Sequence, residues 1–141
     1  MASHRRRNSK WLKLPSKILC DTNFLLIPLR FGVDVLNETD DAINDITDFY
    51  VSSRVIDEIK LLKETAKPSF EKELLFALKM AELCTVIDDD STGLVDESLI
   101  DLALKHGLIL GTSDSELRKK ARARGVKVVY LRQKRYLVLD G

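Results

Sequence analysis

Short apolar runs alternate along this chain with longer stretches of helical periodicity. Ile18-Leu19-Cys20, Phe49-Tyr50-Val51, Thr85-Val86-Ile87, Leu108-Ile109-Leu110 and the run from Val126 to Leu131 read as buried strands. Between them, Asn23 to about Arg30 fits a short helix, broken near Pro28 and ended by Gly32. Val33, Leu36, Ile43 and Ile46 fit an interrupted amphipathic helix. Ser53 can cap a helix running to about Glu64, and Pro68 suits the first turn of another ending near Cys84. A helix over about 95–106 stops at Gly107, and Ser113-Asp114-Ser115-Glu116 opens a basic helix that stops at Gly125. Strands that alternate with helices predict an α/β fold: a three-layer α/β/α sandwich on a mainly parallel sheet of about five strands. Tyr136-Leu137-Val138-Leu139 is a candidate terminal edge strand. Residues 1–16 lack periodicity and read as a basic flexible arm, leaving 17–141 as one domain.

Four carboxylates interrupt this pattern where a charge is costly. Asp96 shares a helix face with Leu99, Ile100 and Ala103, whereas Glu97 and Asp101 point away. Glu58 lies three residues after Val55 and four before Leu62, at the border of an apolar stripe, with Asp57 and Lys60 opposite. Asp21 and Asp114 come at or just past the carboxyl ends of predicted strands, where open α/β sheets form ligand crevices. Each acid also has a local explanation. Asp96 suits the dipole of a first helical turn, and Glu58 suits a stripe edge. Asp21 suits a turn with Thr22 and Asn23, and Ser113-x-x-Glu116 has the form of a capping box. Taken together, the four point to one shared compensator, most simply a divalent cation such as Mg²⁺, which prefers oxygen ligands.

Charge adds a partner to this picture. Residues 1–17 carry six Lys/Arg and no acid, and 115–141 carry nine against two acids, while 18–114 carry eight against 20. An acidic centre between basic ends suits a metal-binding core presented to a polyanion. With 45% hydrophobic and 32% charged residues the chain is composed like a soluble globular domain. No apolar stretch approaches a membrane span, and the N-terminus lacks the apolar segment of a signal peptide, so a cytoplasmic location is expected. Cys20 and Cys84 read as reduced core residues. His4 in the arm and His106 near a helix end leave no pair for acid–base nuclease chemistry. No zinc-ligand spacing or phosphate-cradling glycine loop is present.

The acids stand in motifs whose order resembles a PIN-domain nuclease. Lys17-Ile18-Leu19-Cys20-Asp21-Thr22-Asn23 resembles the opening motif, and Val55-Ile56-Asp57-Glu58-Ile59 the second. Val95-Asp96-Glu97-Ser98-Leu99-Ile100 resembles the third, and Leu110-Gly111-Thr112-Ser113-Asp114 the fourth. The resemblance covers about residues 17–131. It implies a metal-dependent endoribonuclease in which Asp21, Glu58, Asp96 and Asp114 hold one or two Mg²⁺ or Mn²⁺ ions, supported by Asn23, Thr112 and Ser113. RNA phosphates would be held by Arg118, Lys119, Lys120, Arg122 and Arg124, with Arg5, Arg6, Arg7 and Lys10 of the arm, where Trp11 could stack on a base. Phe31-Gly32-Val33-Asp34, the basic stretch ending Arg135-Tyr136 and the basic arm favour the group that processes ribosomal RNA of the small subunit. The alternatives are a toxin-type ribonuclease of a toxin–antitoxin pair and a non-catalytic RNA-binding assembly module. A phosphatase of the haloacid-dehalogenase kind needs a second Asp where Asn23 stands. The apolar Phe24 to Phe31 region would serve either a homodimer or the core.

Overall fold

In the computed structural model, which describes residues 14–141, a six-stranded sheet carries helices on both faces. β1 (Ser16–Cys20) lies mid-sheet, with β2 (Thr47–Ser52) and β3 (Thr85–Ile87) on one side. β4 (Ile109–Gly111), β5 (Val128–Arg132) and β6 (Tyr136–Asp140) lie on the other, giving the order β3-β2-β1-β4-β5-β6. β1 to β5 pair in parallel, and β6 pairs antiparallel with β5. The sheet therefore has one strand more than the five expected. The candidate edge strand forms, and its short connection from β5 allows only the antiparallel direction.

Strands step outward from β1 in both directions, so the winding reverses between β1 and β4. Helices α1 (Thr22–Phe31), α2 (Val35–Ile43), α3 (Ser53–Thr65) and α4 (Pro68–Ala81) fill the β1–β2 and β2–β3 crossovers. α5 (Val95–His106) and α6 (Ser115–Ala123) serve the return to β4 and the step to β5. Right-handed crossovers then put α1–α4 on one face and α5 and α6 on the other. Ligand crevices in such sheets form at the carboxyl ends of the strands flanking the reversal. Asp21 follows β1 and Thr112 follows β4 at that place.

Local chemistry accounts for most element boundaries. Asp21 caps α1, and Gly32 ends it in the left-handed region at φ 69°. Pro28 was expected to break this helix, yet the helix runs through it. A helix-interior proline costs roughly 3 kcal/mol, but burial of Phe24, Leu25, Leu26 and Ile27 is worth roughly 1.5–3 kcal/mol each. Those four residues of the apolar region lie in the core, while Leu29 and Phe31 of the same region are exposed. Gly111 lets α1 pack closely, because a Cβ there would lie 3.1 Å from the Phe24 ring. The cap of α3 is Ser52, whose Oγ accepts from Val55 N–H at 3.1 Å, while Ser53 Oγ is held by the main chain of Asp89. The expected capping box on Ser113 is also replaced. Asp114 is the cap of α6, accepting from the N–H groups of Glu116 at 2.9 Å and Leu117 at 3.3 Å.

The β5–β6 connection holds two non-glycine residues in the left-handed region, Gln133 at φ 54° and Lys134 at φ 57°. The turn closes through Arg135 N–H to Arg132 O at 3.1 Å. Two consecutive positive φ values match the twist of a hairpin but suit Asn-Gly better. Lys134→Gly is expected to raise stability by about 0.5–1 kcal/mol, because the left-handed penalty on a side chain exceeds the extra entropy of glycine. A rightward shift of the urea unfolding midpoint checks this.

Candidate active site

Asp21, Glu58, Asp96 and Asp114 come from four separate elements and line one recess of about 80 Å³, together with Thr22, Asn23, Val55, Val95 and Leu99. Their burial is unequal. Asp21 is only 6% exposed, Asp96 and Asp114 are half-buried, and Glu58 is exposed at the rim. Asp96 shares a helix face with apolar residues in the sequence, but Asp21 is the acid that the fold takes out of water. The difference arises because Asp21 lies between β1 and β4, whereas Asp96 sits in the first turn of a surface helix.

Hydrogen bonds fix the two strand-end acids relative to each other. Phe24 N–H donates to Asp21 Oδ1 at 2.8 Å, and the buried Thr112 hydroxyl donates to Asp21 Oδ2. Asp114 N–H in turn donates to Thr112 Oγ1 at 3.0 Å. Thr112 therefore joins the β1 and β4 sides of the recess. Asn23 is half-buried and lines the recess. Ser113 is exposed and faces a neighbouring cleft instead. Thr22, a turn residue by sequence, also lines the recess.

Among the described residues no cation offsets the charge of Asp21, and only Lys120 acts on Asp96. Burial pushes the Asp21 carboxyl from 3.8 up to about 7, and the charges of Asp114 and Asp96 add to it, while the bonds from Thr112 and Phe24 pull the other way. Asp96 is also raised, first by burial and then by Asp114, with Lys120 opposing. A divalent cation would reverse this penalty. Among the described residues, no three His, Cys, Asp or Glu side chains stand close enough to hold an ion by themselves. An all-oxygen, open donor set of this kind suits Mg²⁺, which keeps several waters and takes only one or two protein carboxylates. It does not suit a closed structural zinc site.

The basic residues divide sharply. The Arg118 guanidinium lies over the Tyr130 ring, 3.9 Å from its centroid. Lys120 is exposed and acts on Asp96; Lys119 is exposed on the same helix. Arg122 is paired with Asp140 at 3.3 Å and also donates to Val126 O. Arg124 is paired with Asp101 at 2.9 Å. These two arginines tie α6 to β6 and to α5. Arg5, Arg6, Arg7, Lys10 and Trp11 lie outside the described residues. No helix among the described residues is long and apolar enough to cross a membrane.

Comparison with known proteins gives the family and the fold. The chain is 31% identical over 143 aligned positions to Ribonuclease VapC9 of Archaeoglobus fulgidus, covering 99% of this chain and 98% of the relative. It is 25% identical to Ribonuclease VapC4 of Methanocaldococcus jannaschii, covering 89% of this chain and 97% of the relative. The fold is similar to that of the PIN domain endonuclease Utp24, with a TM-score of 0.73 at 18% identity, over 89% of this chain and 92% of that one. A domain of a functionally unknown protein from Methanocaldococcus jannaschii has a TM-score of 0.61 at 19% identity, over 83% and 91% of the two chains. A family model described as a PIN like domain matches residues 18–134, which span all four acids and nearly all of the parallel part of the sheet, and the chain belongs to that family.

Proposed function

We propose that this chain is a metal-dependent endoribonuclease that hydrolyses RNA phosphodiester bonds at the recess of Asp21, Glu58, Asp96 and Asp114. The observation that carries the reading is the convergence of four acids, from four elements and both helical layers, at the winding reversal of the sheet. PIN-domain nucleases generally use divalent ions, and Asp21, Asp96 and Asp114, with Glu58 at the rim, would hold one or two Mg²⁺ or Mn²⁺ ions here. Such an ion supplies a lowered pKa for a bound water and neutralises charge at the phosphate. The chain's own residues do the positioning. Thr112 and Phe24 N–H fix the Asp21 carboxylate, and the α6 cap fixes Asp114. Arg118, Lys119 and Lys120 would contact the RNA on the side of α6, with Lys119 and Lys120 at its phosphates.

Between the two family readings, the toxin-type ribonuclease has the better support. Both curated relatives are named Ribonuclease VapC and align along nearly the whole chain, whereas the likeness to Utp24 is one of fold. In the toxin-type reading the partner is an antitoxin protein. In the other it is precursor ribosomal RNA. An Asp96-dependent growth arrest on expression, relieved by a small neighbouring reading frame, supports the first; its absence favours the second. A homodimer fits either reading.

Asp96→Asn is expected to lower cleavage of RNA by more than the roughly 10–100-fold that loss of a supporting residue costs at a metal site. Folding should be spared, because Asp96 is half-buried. Cleavage in Mn²⁺ compared with EDTA, followed on a labelled RNA, measures this. Undiminished metal-dependent cutting by the variant would refute the site. Binding without cutting by the unaltered chain would favour the assembly-module reading.

A further inference from the structure

A second, larger cleft of about 450 Å³ shares Asp114 with the acid recess. Its walls are the first turn of α6, the end of β5 and the start of the β5–β6 turn. Tyr130 forms part of the wall, and the Arg118 guanidinium covers the ring at 3.9 Å from the centroid. Both side chains are half-buried, so the guanidinium is held on one side by the ring. Arg132 and Gln133 close the far side. The left-handed turn at Gln133 and Lys134 fixes where these two residues leave the sheet, and it holds Lys134 and Arg135 beside them.

A guanidinium plane backed by an aromatic ring is a platform on which a base can stack. Every base has a π-face, so such a platform is tolerant of sequence. The exposed cations around it give the backbone phosphates somewhere to go. Duplex RNA keeps its bases stacked on one another and cannot use the platform. We propose that this cleft seats an unpaired nucleotide of the RNA next to the bond that is cut, with its base on Arg118 and its phosphate at Arg132. The inference rests on the ribonuclease reading for its adjacency to the reacting phosphate. The cleft's preference for single-stranded RNA stands on the Arg118–Tyr130 pair alone.

The test uses the full chain carrying Asp96→Asn in Mg²⁺, so that binding is measured without cutting. The probes are a short fluorescein-labelled single-stranded RNA of mixed sequence and the same RNA annealed to its complement. Arg118→Lys keeps the charge but loses the plane, and should weaken binding of the single strand about tenfold while leaving its salt slope unchanged. Arg132→Ala should instead reduce the salt slope by about one. Tyr130→Ala should resemble Arg118→Lys, and Tyr130→Phe should recover most of the loss. Lys79→Ala, on α4, is the charge-loss control and should bind as the parent does. Thermal unfolding of each variant separates a lost platform from a loosened α6.

Equal binding by Arg118→Lys and the parent would overturn the proposal, as would an equal loss for the duplex probe. Absence of binding by the parent would overturn it too. In the chain with Asp96 intact, Arg118→Lys should raise KM about tenfold with kcat nearly unchanged, as loss of uniform binding does. If the intact chain cuts no RNA in Mn²⁺ while the binding differences hold, the ribonuclease reading fails and the cleft remains. If it cuts and Arg118→Lys cuts with the same KM, the cleft fails and the ribonuclease reading remains.

Discussion

Asp21→Asn is expected to abolish cleavage and, in the absence of metal, to make the protein harder to unfold. Asp21 is 6% exposed, and its carboxyl is pushed from 3.8 to about 7, so keeping it ionised costs the folded state on the order of 4 kcal/mol at neutral to alkaline pH. Asparagine removes that charge at nearly constant shape. Its side-chain oxygen can still accept from Phe24 N–H, while its amide meets the Thr112 hydroxyl as a donor and leaves the hydroxyl's own proton to find a new acceptor. Part of the gain is therefore lost, and an increase of about 1–3 kcal/mol is expected, or several degrees in the thermal midpoint of a domain of this size. Cleavage in Mn²⁺ should fall at least as far as in Asp96→Asn. A variant that is less stable than the parent in EDTA would show that the hydrogen bonds outweigh the buried charge. A stabilised variant that still cuts would remove Asp21 from the metal-holding set. The pairing of lost activity with gained stability is the usual mark of a site built at the expense of the fold.

The second large effect is the dependence of stability on pH and metal. A carboxyl whose folded value lies above its unfolded one binds more protons in the folded state between the two values. Stability without metal therefore falls as pH rises from about 4 through about 7, and levels off above. Asp96, also raised, adds to the same slope. A divalent cation binds the ionised form and should recover this loss. The stabilisation by Mn²⁺ over EDTA should then be larger at about pH 8 than at about pH 5, following the free ion concentration relative to its dissociation constant. Thermal scans in the four combinations decide it. Equal metal effects at both pH values would mean that the ion binds away from Asp21.

The layout of the fold was legible along the chain because its determinants are local. Strand runs, helix periods and the glycines at 32 and 107 depend only on near neighbours, and they fell close to the observed elements. The helix phase of Asp96 against Glu97 and Asp101 was also local, and Asp101 indeed faces outward to Arg124. Local rules give way where a distant partner outweighs them. Pro28 stays inside α1 because the residues before it are buried on the sheet. Ser52, not Ser53, caps α3, because Asp89 takes up the latter.

The site divides along the same line. Helix phase and strand ends determined which acids to consider. Only the order of strands decided that Asp21 is the deeply buried one, since that follows from β4 lying beside β1, some ninety residues later in the chain. The same holds for the basic residues, which look alike along α6. Asp140 takes Arg122, Asp101 takes Arg124, and Tyr130 takes Arg118, because β6, α5 and β5 happen to flank different faces of that helix. Periodicity records which face a residue occupies. What stands opposite that face is set by long-range packing, which no local pattern encodes.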